Sequence, residues 1–316
     1  MKQFLSVHDA GDLTSLIKEA LEVKRDVNAN AELGKRKTIA LLFMNPSLRT
    51  RMSTQKAAYN LGMNVMVLNL DKDSWQIEFE DGAIMNGNKS EHIREAAGVI
   101  SQYCDVVGLR CFPGLVDRDK DYSEQILNSF VKYCTKPIVS LESATRHPLQ
   151  SFADMISIAE TNKGKARPKV VLTWAPHIKA LPQAVPNSFA EWAIASGAEV
   201  VIAQPEGYEL DEKFSKGAKI ECSQDTALKG ADYVYVKNWS SFKDYGAMPN
   251  VKGSWLLTKE KLKLTNNAKV MHCLPVRRNV ELPDEIIDSD SSIIQLQAGN
   301  RVIAAQTVLK KILEGL

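Results

Sequence analysis

The sequence lacks several features that would place it in particular classes of protein. Its five cysteines, in 316 residues, include no C-x-x-C pair, which argues against a disulfide framework and against a structural zinc site. It contains no run of about 18 apolar residues, so we expect no segment that spans a membrane. The first nine residues lack the apolar core of a signal peptide, and a cytoplasmic protein is therefore expected.

The charge balance excludes further classes of partner. The 40 basic and 38 acidic residues give a net charge of +2, and no long block carries one sign. This distribution offers no electrostatic footprint for nucleic acid or an anionic membrane, so neither is expected as a partner. No strand candidate is followed by G-x-G-x-x-G, which leaves a dinucleotide-binding oxidoreductase without support.

Strand-like and helical patterns alternate along almost the whole chain. Strands are expected at 38–43, 65–68, 106–109, 137–141, 169–174, 199–203, 233–237 and 269–272. Helices are expected near 13–21, 48–61, 92–103, 149–161, 187–196 and 303–314. The strand runs are apolar on both faces, which is typical of parallel sheets covered by helices on both sides. We therefore predict an α/β protein with two doubly wound parallel-sheet domains that join near residues 142–150.

Polar residues follow the carboxyl ends of the predicted strands, where open α/β sheets bind their ligands. After the first strand, Ser47-Leu48-Arg49-Thr50 opens a helix. The amides and positive dipole of a helix N-terminus, with the Ser47, Arg49 and Thr50 donors, suit a phosphate. The alternative is an ordinary serine cap followed by exposed arginines, and this segment alone does not decide between the two.

Three later strand ends and one segment near the C-terminus carry residues of the same kind. They are Arg110, His147-Pro148-Leu149-Gln150, His272-Cys273-Leu274-Pro275 and, shortly before the last helix, Arg301. A histidine beside a proline, or a cysteine after a strand, is more often structural when it occurs alone. Together and in this order, these residues favour one site for an anionic ligand.

These motifs resemble those of the aspartate/ornithine carbamoyltransferase family, and the resemblance covers essentially the whole chain. The S-x-R-T, H-P-x-Q and H-C-L-P motifs of that family match Ser47–Thr50, His147–Gln150 and His272–Pro275. The resemblance implies an enzyme that moves a carbamoyl group from carbamoyl phosphate to an amine, without a cofactor or a metal. It also suggests a carbamoyl-phosphate-binding domain at 1–146, an acceptor-binding domain at 147–299, and a C-terminal helix at 300–316 that packs back on the first domain.

The resemblance also implies which residues bind carbamoyl phosphate. They are Ser47, Leu48, Arg49, Thr50, Trp75, Arg110, His147, Pro148, Leu149, Gln150, Cys273, Leu274 and Arg301. The expected catalytic residues among them are Arg49, Arg110, His147 and Cys273. Charge grows on the carbonyl oxygen and on the departing phosphate, so donors fixed at both places lower the barrier. The family usually has Glu-Asn-Arg before the last helix, whereas this chain has Gly299-Asn300-Arg301.

The acceptor half departs from the ornithine enzymes of the family. Those enzymes hold the free α-ammonium with a D-x-x-x-S-M-G segment, which this sequence lacks. The corresponding strand end carries Lys237, which would repel an ammonium group and attract a carboxylate. Lys237-x-Trp239 and Trp174-Ala175-Pro176-His177 resemble the branch of the family that acts on N-acylated ornithine.

That branch implies a trefoil knot in the second domain, formed by the proline-rich segment 175–186, and a homotrimer with shared active sites. A neighbouring subunit would contribute Trp75 and the loop around Ser90, although by residue type alone Trp75 would be a core residue. The expected acyl-ornithine-binding residues are Ser90, Glu142, His177, Lys237, Leu274 and Arg277.

We expect the acceptor to be N-succinylornithine, used in arginine biosynthesis. The acetyl enzymes of the branch have a glutamate at the position of Ser90, which would repel a succinyl carboxylate, and serine removes that repulsion. Glu281 stands where the acetyl enzymes have a lysine. The alternatives are N-acetylornithine, ornithine or putrescine as acceptor, and a non-catalytic paralogue that binds carbamoyl phosphate.

Overall fold

The structure is a computed structural model that describes residues 1–70 and 72–316. Its strands are β1 (Gln3–Phe4), β2 (Thr38–Phe43), β3 (Asn64–Asn69), β4 (Ile77–Glu78), β5 (Glu91–His92), β6 (Val106–Arg110), β7 (Ile138–Glu142), β8 (Lys169–Ala175), β9 (Glu199–Ala203), β10 (Lys219–Glu221), β11 (Tyr233–Asn238) and β12 (Lys269–Met271). Its α-helices are α1 (Leu13–Arg25), α2 (Leu48–Asn60), α3 (Ile93–Tyr103), α4 (Arg118–Tyr122), α5 (Gln125–Tyr133), α6 (Pro148–Thr161), α7 (Ala184–Ala195), α8 (Glu212–Ser215), α9 (Gln224–Leu228), α10 (Lys259–Leu262), α11 (Asp284–Ile287) and α12 (Ile294–Leu313).

The chain forms two compact units. The first unit is Met1–Gly114, Asp119–Leu149 and Arg301–Leu316, and the second is Leu115–Arg118 and Gln150–Asn300. The sequence analysis divided the chain after residues 146 and 299 and left 115–118 in the first part. Those four residues belong with the second unit, where the Arg118 guanidinium carbon lies 4.8 Å from the centroid of the Phe242 ring.

Each unit is built on a five-stranded sheet. The strand order is β1-β7-β6-β2-β3 in the first unit and β10-β9-β8-β11-β12 in the second. Every pairing in both sheets is parallel. The central strands are buried along nearly their whole length, as expected when helices cover both faces. The predicted α/β fold class with parallel sheets is confirmed, whereas the knot stays a prediction.

One predicted helix end has a clear physical cause. Helix α2 stops at Asn60, and Gly62 follows with φ +78°, in the left-handed region that favours glycine. A Cβ atom on Gly62 would lie 2.2 Å from the backbone oxygen of Ala31, so no other residue fits without a shift of the backbone. The predicted end at residue 61 is one residue beyond the end in the structure.

Two helix starts differ from the prediction. Helix α7 begins at Ala184, whereas the prediction began near residue 187, after Pro186. A proline is tolerated in the first turn of a helix, because the amide at that position needs no partner within the helix. Helix α12 begins at Ile294 instead of near residue 303. Polar residues in its first half hide the apolar pattern, yet they are buried: Asn300 donates to Ser157 Oγ at 2.9 Å and to Glu160 Oε2 at 2.7 Å. In the described part of the chain, no helix is both long and apolar enough to cross a membrane.

Candidate active site

The carboxyl ends of three neighbouring strands meet at one edge of the first unit's sheet. Strand β6 lies between β2 and β7, and all three run in the same direction. The backbone amide of Met44 donates to the backbone carbonyl oxygen of Arg110, and the backbone amide of Cys111 donates to the backbone carbonyl oxygen of Glu142, each at 2.9 Å. The chain segments that leave these strands therefore start side by side, as the sequence analysis assumed for a strand-end site.

Ser47 is the N-cap of helix α2. Its Oγ accepts a hydrogen bond from the Thr50 amide at 3.4 Å, so the ordinary capping role is present. Capping satisfies one of the first amides of the helix and leaves others for an anion. Leu48 is exposed, whereas Thr50 is buried. The cap and the phosphate site are therefore compatible interpretations of the same segment.

Arg301 lies against this segment, although it is 251 positions away in the sequence. Its Nη2 donates to Thr50 Oγ1 at 2.7 Å, and the arginine is itself buried. Because Thr50 Oγ1 accepts this bond, the hydroxyl hydrogen points elsewhere and can be donated to a ligand. Arg301 therefore lies beside the Ser47–Thr50 segment, with Gly299 in place of the usual glutamate, and its role in binding stays a prediction.

A second cluster of the first unit contains Arg110, Glu142 and His147. Arg110 Nη1 donates to Glu142 Oε2, and His147 Nε2 lies 3.4 Å from the same oxygen. A register shift between Leu109 and Arg110 places Arg110 opposite Glu142 instead of Leu141. Such irregularities re-aim a side chain at the end of a strand. All three side chains of the cluster are buried.

The position of Glu142 differs from its expected role in one respect. The resemblance assigns it to the acceptor, yet its carboxylate contacts Arg110 and lies beside His147, two residues expected to bind carbamoyl phosphate. Arg110 Nε is also buried and has no hydrogen-bond partner among the described residues. A phosphate that binds Arg110 must therefore compete with Glu142 for one side of the guanidinium, while Nε offers a further donor.

Trp75 and Ser90 lie near the small sheet formed by β4 and β5. Trp75 is 58% exposed, and its Nε1 donates to Glu91 Oε2 at 2.7 Å. Ser90 is exposed, and its amide donates to the Gln76 oxygen at 3.0 Å. By residue type alone, Trp75 was expected in the core, and that expectation is wrong. An exposed tryptophan close to Ser90 is available for contact with another molecule.

In the second unit, three strand ends again lie side by side, because β11 lies between β8 and β12. Lys237 is opposite Trp174 in this sheet, and His177 follows the end of β8. The Lys237 side chain is buried, and its Nζ donates to Asn238 Oδ1. A buried ammonium needs polar partners, and an anionic ligand would provide a stronger one than a neutral amide.

His177 and Arg277 are brought into contact. Arg277 Nε donates to His177 Nε2 at 3.2 Å, and His177 Nδ1 lies 2.7 Å from the Lys179 oxygen. The Lys179 amide also lies within hydrogen-bond distance of His177 Nδ1, at 3.3 Å, so both ring nitrogens have neighbours that hold the ring in place. The Arg277 side chain is exposed, and its guanidinium keeps donors for a carboxylate.

The segment His272–Pro275 is held by a buried polar network that the sequence analysis missed. The His272 amide donates to Gln297 Oε1 at 2.9 Å, and Gln297 Nε2 donates to Asp154 Oδ1 at 2.7 Å. The same Asp154 oxygen accepts from Gln150 Nε2 at 2.8 Å. Asp154 is one helical turn after Gln150, a spacing that could have suggested the pair. Nothing in the sequence indicates Gln297.

The backbone at the end of this segment is also constrained. Leu274 has φ +57°, an uncommon conformation for a residue with a side chain, and its amide donates to His272 Nδ1 at 3.0 Å. Cys273, next to it, is buried.

Burial raises the pKa of Tyr235 well above its ordinary value, and nearby Asp154 and Cys273 act in the same direction. The Tyr235 hydroxyl therefore stays neutral.

Glu281 is a buried carboxylate beside this network. Burial alone would raise its pKa, but interaction with His272, whose Nε2 lies 3.8 Å away, and the charge of Lys237 bring the pKa below the ordinary 4.5. Its other oxygen accepts from the Arg277 amide at 2.5 Å. Glu281 is therefore ionised at neutral pH, and it connects His272 with the segment that carries Arg277.

The predicted site residues are divided between the two units. The first unit holds Ser47, Leu48, Arg49, Thr50, Trp75, Ser90, Arg110, Glu142, His147, Pro148, Leu149 and Arg301. The second unit holds Gln150, His177, Lys237, Cys273, Leu274 and Arg277. Within residues 1–70 and 72–316, no cluster of three or more side chains is arranged to hold a metal ion. The first group is suited to a phosphate and a carbonyl oxygen, and the second to a carboxylate.

Two family models match the chain. Residues 2–160 match the aspartate/ornithine carbamoyltransferase carbamoyl-P binding domain, and residues 182–312 match the Asp/Orn binding domain of the same family. An N-succinylornithine carbamoyltransferase of Bacteroides thetaiotaomicron is 52% identical, with 100% of both chains covered. An N-acetylornithine carbamoyltransferase of Xanthomonas campestris pv. campestris is 37% identical, with 98% of this chain and 97% of the relative covered.

Solved structures show the same similarity. An N-acetyl-L-ornithine transcarbamylase superimposes with a TM-score of 0.91 at 35% identity, over 99% of this chain and 100% of the other. A mutant N-acetyl-L-ornithine transcarbamylase, complexed with carbamyl phosphate and N-succinyl-L-norvaline, also gives 0.91, at 36% identity and the same coverage. The similarity extends over both units of the chain.

Proposed function

This chain belongs to the aspartate/ornithine carbamoyltransferase family, and we propose that it transfers the carbamoyl group of carbamoyl phosphate to the δ-amine of N2-succinyl-L-ornithine. The products are N-succinylcitrulline and phosphate, in arginine biosynthesis. The observation that carries the choice of acceptor is the buried cation Lys237 at the end of β11. A free α-ammonium would be repelled there, whereas a carboxylate would be stabilised.

The first unit supplies the groups for the carbamoyl donor. Arg49 and Arg110 bind the phosphate and stabilise the charge that it gains as it leaves. Thr50, positioned by Arg301, and His147 donate to the carbonyl oxygen. The amine nitrogen bonds to the carbonyl carbon, the bond from that carbon to the phosphate oxygen breaks, and the amine proton goes to the departing phosphate. The proposal also assigns Gln150, Cys273 and Leu274 to carbamoyl phosphate, on the family resemblance.

Glu142 connects the two substrates in this proposal. Its carboxylate contacts Arg110 in the structure, and a bound phosphate competes with it for that guanidinium. Displaced from Arg110, Glu142 is an acceptor for the amide N–H or the amine of acyl-ornithine. This explains why Glu142, which is expected to bind the acceptor, lies beside residues that are expected to bind carbamoyl phosphate.

The preference for the succinyl acceptor is supported by comparing the charges of the two acylated ornithines with those of the site. N-succinylornithine has two carboxylates and N-acetylornithine has one, while the second unit presents two cations, Lys237 and Arg277. Ser90 adds no negative charge that would repel the succinyl end. The relative with 52% identity is an N-succinylornithine carbamoyltransferase, and those described as N-acetylornithine enzymes are 35–37% identical. N-acetylornithine is the second candidate.

Steady-state kinetics with each amine separately test this proposal. Carbamoyl phosphate is combined with N-succinylornithine, N-acetylornithine, ornithine or putrescine, and the citrulline-type product is measured. We expect the highest kcat/KM with N-succinylornithine. A higher kcat/KM with free ornithine than with both acylated forms would show that the argument from Lys237 is wrong.

We further propose that the protein is a cytoplasmic homotrimer, in which Trp75 and Ser90 of one subunit complete the site of the next. Each subunit would have a carbamoyl-phosphate domain at 1–146 and an acyl-ornithine domain at 147–299. Residues 175–186 would form a knot. The exposure of Trp75 supports the shared site. Mixing the inactive variants Trp75→Ala and Lys237→Ala should restore part of the activity, because some mixed sites receive both native residues. No recovery after subunit exchange would contradict a shared site.

A further inference from the structure

The loop between β7 and α6 links two residues of the candidate active site. Glu142 is the last residue of β7, and His147 immediately precedes α6. Between them, the Ser143 amide donates to the Arg146 oxygen at 2.8 Å, and the Arg146 amide donates to Ser143 Oγ at 3.2 Å. The loop is a closed turn, so whatever holds it also fixes the directions of Glu142 and His147.

A carboxylate from elsewhere in the first unit holds this loop. Glu124 Oε1 accepts from Ser143 Oγ at 2.6 Å, from the Thr145 amide at 2.8 Å and from Thr145 Oγ1 at 2.6 Å. Glu124 Oε2 accepts from the Ala144 amide at 3.2 Å. Four hydrogen bonds thus converge on one side chain, and bonds to an ionised acceptor are stronger than those between neutral groups.

Glu124 makes these bonds at a local cost. It is the N-cap of helix α5, yet its side chain forms no capping bond with that helix. Its backbone has φ +53° and ψ +34°, the left-handed conformation that residues other than glycine rarely adopt. Residues held in such conformations persist where surrounding contacts determine them, and they cluster at functional sites. At Glu124 the hydrogen bonds of the side chain are those with the 143–145 segment.

One side of the loop borders open space. A cavity of about 170 Å³ borders Ala144 and Glu124, and its walls include Cys111 and Phe112. The loop therefore has space into which it can relax when the hydrogen bonds to Glu124 are removed. Fixing an active-site residue in a loop beside a cavity requires directional bonds, which the Glu124 carboxylate supplies.

We propose that Glu124 is a positioning residue for carbamoyl transfer, which acts by orienting Glu142 and His147 through the 143–145 segment. This rests on the proposed function, since it assigns His147 to the carbonyl oxygen of the donor. Misplacement of a catalytic group by about 1 Å can lower a rate by about 100-fold. Loss of the Glu124 carboxylate therefore lowers kcat, while the acceptor contacts from Lys237 and Arg277 in the second unit are unchanged.

The variant Glu124→Gln keeps the shape of the side chain, removes its negative charge and replaces one oxygen by an NH2 group that cannot accept, so that the bond at Oε2 or the three bonds at Oε1 are lost. We expect a kcat about 10- to 100-fold lower, with a smaller rise in the KM for N-succinylornithine, because Glu142 is less well placed while Lys237 and Arg277 still bind the acceptor. Glu32→Gln is the matched control, because the Glu32 side chain is exposed and pairs with Lys35, three residues later in the sequence. A purely structural role would lower the melting temperature without lowering kcat in the folded protein.

A second pair of variants keeps the test decisive if Glu124→Gln does not fold. Thr145→Val removes one hydroxyl bond to Glu124, and Thr145→Ser retains it. We expect a lower kcat for the valine variant and a near wild-type kcat for the serine variant. A kcat within twofold of wild type for Glu124→Gln, or equal values for Thr145→Val and Thr145→Ser, would overturn the proposal. Absence of wild-type turnover with every amine would instead contradict the proposed function.

Discussion

The ion pair between Arg110 and Glu142 allows the structural and functional contributions of one arginine to be separated. Both side chains are buried, with 10% and 8% of their surfaces exposed. Replacing Arg110 by methionine leaves the Glu142 carboxylate with His147 Nε2, at 3.4 Å, as the nearest cationic or donor group of its cluster. Breaking a buried pair from one side costs about 3–5 kcal/mol, because an uncompensated charge remains.

We expect Arg110→Met to fall near the lower end of that range, because His147 can supply one hydrogen bond. A loss of about 3 kcal/mol lowers the melting temperature by roughly 6–12 °C. Adding Glu142→Leu removes the orphaned carboxylate, so most of the lost stability should return in the double variant. The double variant should still bind carbamoyl phosphate poorly, because the phosphate has lost the Arg110 guanidinium.

Calorimetric unfolding of the wild type, both single variants and the double variant, at one protein concentration, gives the coupling free energy of the pair. Titration with carbamoyl phosphate gives the binding constants of the same four proteins. A loss below about 1 kcal/mol for Arg110→Met would mean that the pair is effectively hydrated, as surface pairs are. Wild-type affinity for carbamoyl phosphate in the double variant would remove Arg110 from the phosphate site.

Four other predictions test separate parts of the account. Arg277→Ala should lower kcat/KM by about tenfold or more for N-succinylornithine and by less for N-acetylornithine, and equal losses in steady-state kinetics would contradict a succinyl contact. Ser90→Glu should shift the preference toward N-acetylornithine, with Ser90→Ala as control, and an unchanged preference would exclude this position. Gln297→Leu leaves the buried His272 amide without an acceptor and removes one of the donors to Asp154, so it should cost about 2 kcal/mol or more in thermal unfolding; an unchanged melting temperature would show that water replaces the glutamine. The pKa of Glu281 in the folded protein is lowered from 4.5, so the ionised carboxylate stabilises the fold above that pH, and this contribution is lost as the pH falls through the folded pKa. When the free energy of unfolding is measured against pH, Glu281→Gln should lose less stability in acid than the wild type.

The sheets and the general place of the site could be predicted from sequence for a physical reason. Buried parallel strands need continuous apolar runs, and the predicted bounds of β2 and β9 match those in the structure. Parallel strands also bring their carboxyl ends to one edge, so polar residues that follow separate strands become neighbours. Arg110 and Glu142 meet for this reason, although they are 32 positions apart.

Other features depend on long-range contacts that leave no local pattern. The pairing of Arg110 with Glu142 requires a register shift, which the sequence of the strand does not reveal. Gln297 bonds to Asp154 across 143 positions, and Glu124 reaches the 143–145 segment from a separate helix. These residues act on others through hydrogen bonds instead of carrying a recognisable motif. The structure was needed to find them.

The most direct test of the central claim is a competition between two acceptors in one reaction. Equal concentrations of N-succinylornithine and N-acetylornithine are incubated with carbamoyl phosphate, and the two citrulline products are quantified by mass spectrometry at low conversion. Their ratio equals the ratio of the kcat/KM values. A large excess of N-succinylcitrulline is the predicted result, because Lys237 and Arg277 present two cations to an acceptor with two carboxylates. An excess of N-acetylcitrulline would contradict the assignment of N-succinylornithine.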